Sequence, residues 1–129
     1  MAAKRGAAVP RPTKSTEYEI IFGNVAAERG WTDLKATAKN ALADAFDYLT
    51  AHPTRDADRC YQLRGDLGTV LVNGVALPQW QYKVTNGARI WYAVEEYGSG
   101  AKAKSAGRVA ITSAVAGHPN ETDSSKNFR

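Results

Sequence analysis

Gln79-Trp80-Gln81-Tyr82-Lys83-Val84-Thr85-Asn86-Gly87-Ala88-Arg89-Ile90-Trp91-Tyr92-Ala93-Val94 is the stretch whose reading decides the architecture. Both halves are rich in aromatic and β-branched residues, and Asn86-Gly87 between them tolerates the backbone angles of a tight turn. The segment reads as a β-hairpin whose loop length is set by parity. A two-residue loop pairs Lys83 with Ile90 and Val84 with Arg89, mixing apolar and basic groups on both faces. A three-residue loop, with Gly87 in the left-handed position, pairs Lys83 with Arg89 and Val84 with Ala88. Tyr82, Val84, Ile90, Tyr92 and Val94 then share one apolar face, while Gln81, Lys83, Arg89 and Trp91 share the other. Successive strand residues point to opposite faces, so only the second register keeps the alternation of a half-buried sheet.

Further strands flank this hairpin. Tyr18–Phe22 is aromatic and β-branched, and 61–63, Thr69–Val72 and 108–115 read the same way. Within the hairpin itself the strands run over 80–84 and 89–95. Turn signals separate them at Arg64-Gly65-Asp66, Asn73-Gly74 and Tyr97-Gly98-Ser99-Gly100, and the small, basic stretch 98–107 reads as a mobile hairpin loop. Between the first strand and the rest, residues 25–50 carry a helical stripe of Trp31, Leu34, Ala38, Ala41, Leu42, Ala45, Phe46 and Leu49. Lys35, Lys39, Asp44 and Asp47 fall on the outer face. Gly30 costs about 1 kcal/mol relative to Ala inside a helix, so two helices are expected, their break left open. His52-Pro53 ends the helical run, because a residue before proline avoids the helical region, and His52 there meets the negative end of the helix dipole. Strand, helices, then a run of strands is an α+β order with a mostly antiparallel sheet.

The 129 residues fit one domain with a core of its own. The single cysteine, Cys60, closes no internal disulfide, and no cysteine or histidine spacing suits zinc. Cys60 reads as a small half-buried residue at a strand start. No stretch approaches a membrane span and the basic N-terminus lacks the apolar core of a signal peptide, so a cytoplasmic protein that binds no membrane is expected. Net charge is +4, which favours a polyanionic partner, either nucleic acid or an acidic protein. Residues 1–16 read as a disordered basic tail carrying Lys4, Arg5, Arg11 and Lys14, interrupted by Pro10 and Pro12. The tail is a solvated leader or, alternatively, a nucleic-acid arm.

Chemistry concentrates on the hairpin's polar face. Lys83 beside Arg89 on adjacent strands repel unless an anion lies between them, and arginine grips phosphate in a bidentate way. Trp91 offers a ring on which an exposed base can stack. The alternative is an ordinary solvated face with Trp91 packed under a loop. His118, between Gly117 and Pro119 just past the last strand, is either a surface histidine or a proton carrier suited to neutral pH.

Taken in order, these elements resemble the RelE/ParE toxin superfamily, and within it the RelE side. The matching pieces are Tyr18–Phe22, Trp31-x-x-Leu34 with its continuation to Leu49 and Pro53, and Leu63-Arg64-Gly65. They continue with Tyr82-Lys83-Val84, Gly87-Ala88-Arg89-Ile90-Trp91-Tyr92-x-Val94 and Gly117-His118-Pro119. The resemblance implies a small, twisted sheet packed against an N-terminal helical hairpin. It places a toxin domain at 17–123, followed by a flexible tail at 124–129. It also implies a toxin neutralised by a cognate antitoxin, monomeric when free, that works without cofactor or metal and cuts mRNA on the ribosome through attack of a ribose 2′-hydroxyl. Arg89 then matches the arginine on the scissile phosphate and Lys83 a basic residue of the central strand. His118 and Glu121 are the candidates for proton transfer. Gln81, Trp91, Arg64, Lys35 and Lys39 complete the expected RNA contacts. Gln81 stands where relatives often carry a second lysine, and no tyrosine follows His118, so the site departs from the RelE pattern. Two other readings remain: a ParE-like toxin that inhibits DNA gyrase by binding, and a module that only holds a partner.

Overall fold

The computed structural model describes residues 5–97 and 104–116. Strand β1 (Tyr18–Phe22) leads into helices α1 (Val25–Thr37) and α2 (Lys39–Ala51), followed by β2 (Cys60–Gln62), a 3-10 turn (Gly65–Gly68), β3 (Thr69–Val72), β4 (Val75–Lys83), β5 (Arg89–Glu96) and β6 (Gly107–Val115). The main sheet runs β1-β6-β5-β4-β2, with β3 paired to the first half of β4. Only β1 and β6 run parallel; the other pairs are antiparallel. The result is an α+β fold of the expected class.

The central hairpin takes the three-residue register, pairing Lys83 with Arg89 and Tyr82 with Ile90, and Val84 N–H donates to the Ala88 carbonyl at 3.0 Å. Tyr82, Val84, Ile90, Tyr92 and Val94 are all buried. The expected left-handed Gly87 is not found, since positive φ among the described residues occurs at Gly6, Gly65, Asn73 and Gly74 instead. The Thr85 hydroxyl accepts from the Gly87 and Ala88 amides (3.2 and 3.0 Å) and shapes the loop in place of a left-handed glycine. Asn73 (φ 51°) and Gly74 (φ 82°) form the two-residue turn between β3 and β4, the pair of positive φ angles that suits a twisted hairpin.

Two helices replace the single periodic run, and the break falls at Ala38 (φ −146°, ψ 51°) rather than at Gly30. Gly30 sits where α1 crosses β6: a Cβ there would lie 1.8 Å from the Ala114 carbonyl oxygen. The glycine is a point of close approach, not a breaker. Asn24 caps α1 by accepting from the Ala27 amide at 2.7 Å, and its amide nitrogen donates to the Thr112 carbonyl at 3.1 Å, tying the helix start to β6. His52 is the C-terminal cap of α2, as expected.

The core lies between the helices and one face of the sheet. Ala27, Leu34, Leu42, Ala45 and Leu49 meet Ile90, Tyr92, Val94, Val109 and Ile111 there. The opposite face is divided. Ala93 and Ala110 are buried and share a small cleft with Ile21, Val72, Val75 and Leu77, so the β3–β4 arm covers that half. The other half stays open and carries the polar residues of the hairpin.

Candidate nucleic-acid interface

Four expected residues meet on the open half. Gln81 pairs with Trp91, and Lys83 with Arg89, across β4 and β5. All four are partly exposed. Tyr61 of β2 pairs with Gln81 on the other side of β4, so three strands contribute to one surface.

The side chains are ordered by a chain of hydrogen bonds. Trp91 Nε1 donates to Gln81 Oε1 at 2.8 Å, and Gln81 Nε2 donates to the Tyr61 hydroxyl at 2.7 Å. A second pair lies beside it. Thr112 Oγ1 donates to Gln79 Oε1 at 2.6 Å, and Gln79 Nε2 donates to the Leu67 carbonyl at 2.8 Å. Thr112 reaches Gln79 because the β5–β6 ladder shifts between Trp91 and Tyr92, with Trp91 opposite Ser113 and Tyr92 opposite Ile111. The shift leaves Thr112 as an extra residue on β6, the re-aiming that a bulge produces.

The two cations do not stack against each other. Lys83 Nζ lies 5.5 Å from the centre of the Tyr61 ring, a cation–π placement. Arg89 Nη1 donates to the carbonyls of Thr85 (2.8 Å) and Ala88 (3.1 Å). That arrangement pins the guanidinium to its own loop, while Nε and Nη2, the pair that makes side-on bidentate contacts, have no partner among the described residues.

Arg64 is exposed ahead of the 3-10 turn and lines an open cleft of about 620 Å³ with Asp56, Tyr61, Gln62, Leu63 and Trp80. Tyr61 borders both this cleft and the polar face. Lys35 and Lys39 are exposed on the helices, which pack on the opposite face of the sheet, so the fold does not bring them to Lys83 and Arg89. His118 and Glu121 lie outside the described residues. Val115, the last residue of β6, is paired with Arg89.

Sequence reading missed Tyr61, Gln79 and Thr112. Tyr61 is two strands from Arg89 and meets Gln81 only through the β2–β4 pairing, for which a three-residue strand carries little signal. Cys60 belongs to the other face: it is fully buried rather than half-buried, and burial pushes its thiol up from the ordinary range, away from reactivity. Among the described residues no group of His, Cys, Asp and Glu could hold a metal ion, and no helix is long and apolar enough to cross a membrane.

No family model and no curated protein matches this sequence. Among solved structures, the chain is similar to a YoeB/ParE toxin from Agrobacterium tumefaciens, with a TM-score of 0.53 over 75% of this chain and 96% of that one, at 15% identity. At that identity the likeness is one of fold: two helices on a mostly antiparallel sheet, the architecture that the resemblance to RelE/ParE toxins implies.

Proposed function

We propose that this chain is the toxin of a toxin–antitoxin pair and that it cuts mRNA on the ribosome. The observation that carries the reading is the in-register pairing of Lys83 and Arg89 on an open, polar sheet face with Trp91 beside them. The toxin-like fold supports the general class. In the reaction, the ribose 2′-oxygen bonds to phosphorus as the bond to the next nucleotide's 5′-oxygen breaks. A base takes the 2′-proton, and an acid supplies one to the leaving oxygen, giving a 2′,3′-cyclic phosphate and a 5′-hydroxyl. Arg89, pinned by its loop carbonyls, offers Nε and Nη2 to the phosphate as negative charge builds on it. Lys83 adds a second cation, and Trp91 stacks on a base. His118 moves a proton, with Glu121 as the second candidate. The protein's partners are then mRNA, the ribosome and a cognate antitoxin that covers the basic face.

A gyrase-binding toxin of the ParE kind is the second reading. The observation in its favour is that Lys83 and Arg89 both hold internal partners, a ring and two carbonyls, as on an ordinary solvated face.

Primer extension on a translated mRNA, with and without ribosomes, separates the two. Ribosome-dependent cuts, reduced by roughly 100-fold or more in Arg89→Ala as for loss of one transition-state donor, and reduced also in His118→Ala, are expected. Growth arrest without cuts would transfer the assignment to gyrase.

A further inference from the structure

The hydrogen-bond chain on the open face has only one consistent direction. Trp91 Nε1 is a donor and nothing else, so the Gln81 atom 2.8 Å from it is the carbonyl oxygen. The Gln81 amide nitrogen therefore faces Tyr61, and because that nitrogen only donates, the Tyr61 oxygen accepts at 2.7 Å. The Tyr61 proton is left for another acceptor, and none is present among the described residues. Tyr61 is only partly buried and borders an open cleft that also contains Arg64. Lys83 Nζ stands 5.5 Å from the same ring. A hydroxyl donor with a free proton, an ammonium above its ring and a guanidinium along the cleft, against the single carboxylate of Asp56, suit a chain of phosphates. Gln81 accepts from Trp91 and donates to Tyr61, which makes it a positioning residue for the Tyr61 hydroxyl, while its second amide proton and second lone pair stay available to the RNA contact expected of it.

We propose that the Tyr61 hydroxyl, held by Gln81 and Trp91, donates to a backbone phosphate oxygen of single-stranded RNA beside the one gripped by Arg89. This rests on the nucleic-acid reading of the face.

The test is binding of a fluorescein-labelled, mixed-sequence single-stranded RNA, followed by anisotropy at low salt, with thermal unfolding measured on every variant. Tyr61→Phe keeps the ring under Lys83 and removes only the hydroxyl, and is expected to weaken binding roughly tenfold, the usual scale for one hydrogen bond to a charged group. Gln81→Met is expected to weaken binding about threefold in the unaltered background and not at all in the Tyr61→Phe background, because positioning has no effect once the positioned hydroxyl is gone. A merely structural Gln81 would lower binding equally in both backgrounds and overturn its assigned role. Tyr61→Phe binding within twofold of the unaltered protein, while Arg89→Ala binds weakly, would overturn the assignment of Tyr61 and leave the RNA reading intact. No RNA binding by the unaltered protein would overturn the assignment of Tyr61 as a contact to single-stranded RNA, and ribosome-dependent cutting, read by primer extension, is decided separately.

Discussion

Tyr92 shows how one side chain ties the helical layer to the sheet. Its hydroxyl donates to the Pro53 carbonyl at 2.7 Å and lies 2.9 Å from Cys60 Sγ. A carbonyl cannot donate, so the single phenolic proton goes to Pro53 and the Cys60 thiol donates to Tyr92. The ring is fully buried, and it joins the loop after α2 to the start of β2 through the middle of β5. Tyr92→Phe keeps the ring, leaves the buried Pro53 carbonyl without its donor and removes one partner of the Cys60 thiol. It is expected to lower stability by about 1–3 kcal/mol, read from urea unfolding. Fold and open face would survive, so RNA binding at a temperature well below the transition should stay within twofold. The same residue scale explains why Arg89 and Lys83 stood out in the sequence. Alternation along a strand assigns a face to each residue before any partner is known, whereas the internal partners of those two cations depend on the loop and on β2.

At the scale of elements, the most exacting contact is the crossing of α1 over β6. Helix interiors ordinarily gain stability when glycine becomes alanine, by about 1 kcal/mol. Gly30→Ala is expected to do the reverse, because its Cβ would meet the Ala114 carbonyl at 1.8 Å and force the helix off the strand. Overpacking of this kind costs about 1–3 kcal/mol, and thermal unfolding of the variant checks the sign. A rise in melting temperature would mean that α1 shifts freely on the sheet. The contact also explains why the break, left open by the sequence, does not fall at Gly30. In a linear reading Gly30 is the weakest residue of a helical run, yet the chain turns at Ala38, where the N–H returns to the Leu34 carbonyl at 2.7 Å and α2 starts toward β1.

For the whole molecule, buried phenols set the behaviour at high pH. Burial, together with the bond to Glu96 at 2.6 Å, pushes Tyr18 up to about 12, and burial holds Tyr92 further above the ordinary phenol range. A phenol raised in the folded state contributes stability that is present below the unfolded value near pH 10 and is lost as pH rises through the folded value. The fold is therefore expected to hold to about pH 10 and to weaken between about 10 and 12. The last part of the phenolate absorbance and the circular dichroism should change together, because Tyr92 ionises only when the core opens. Phenolate absorbance that reached its full value while the dichroism stayed native would show that the Tyr92 pocket is open to solvent. At the opposite end of the pH scale, Arg11 and the Lys14 amide hold the Glu17 carboxylate down to about 2. The segment before β1 is thereby fastened at its base, although residues 5–16 form no helix or strand.

The sequence was sufficient for what repeats locally. Alternation over 79–94 determined the hairpin register and the composition of its two faces, and the helical stripe singled out Leu34, Leu42, Ala45 and Leu49 for the core, because both follow from the period of the backbone, although Phe46 of the same stripe stays exposed and Ala27, outside it, is buried. It also singled out Lys83, Arg89 and Trp91 as one surface. Everything that depends on which distant segments meet was decided by the tertiary structure. The β3–β4 arm closes half of the open face, the ladder shift brings Thr112 to Gln79, and β2 delivers Tyr61 to Gln81. A three-residue strand or one extra residue in a ladder leaves almost no periodic trace. Pairing across the sheet, not spacing along the chain, sets Gln81 between Trp91 and Tyr61.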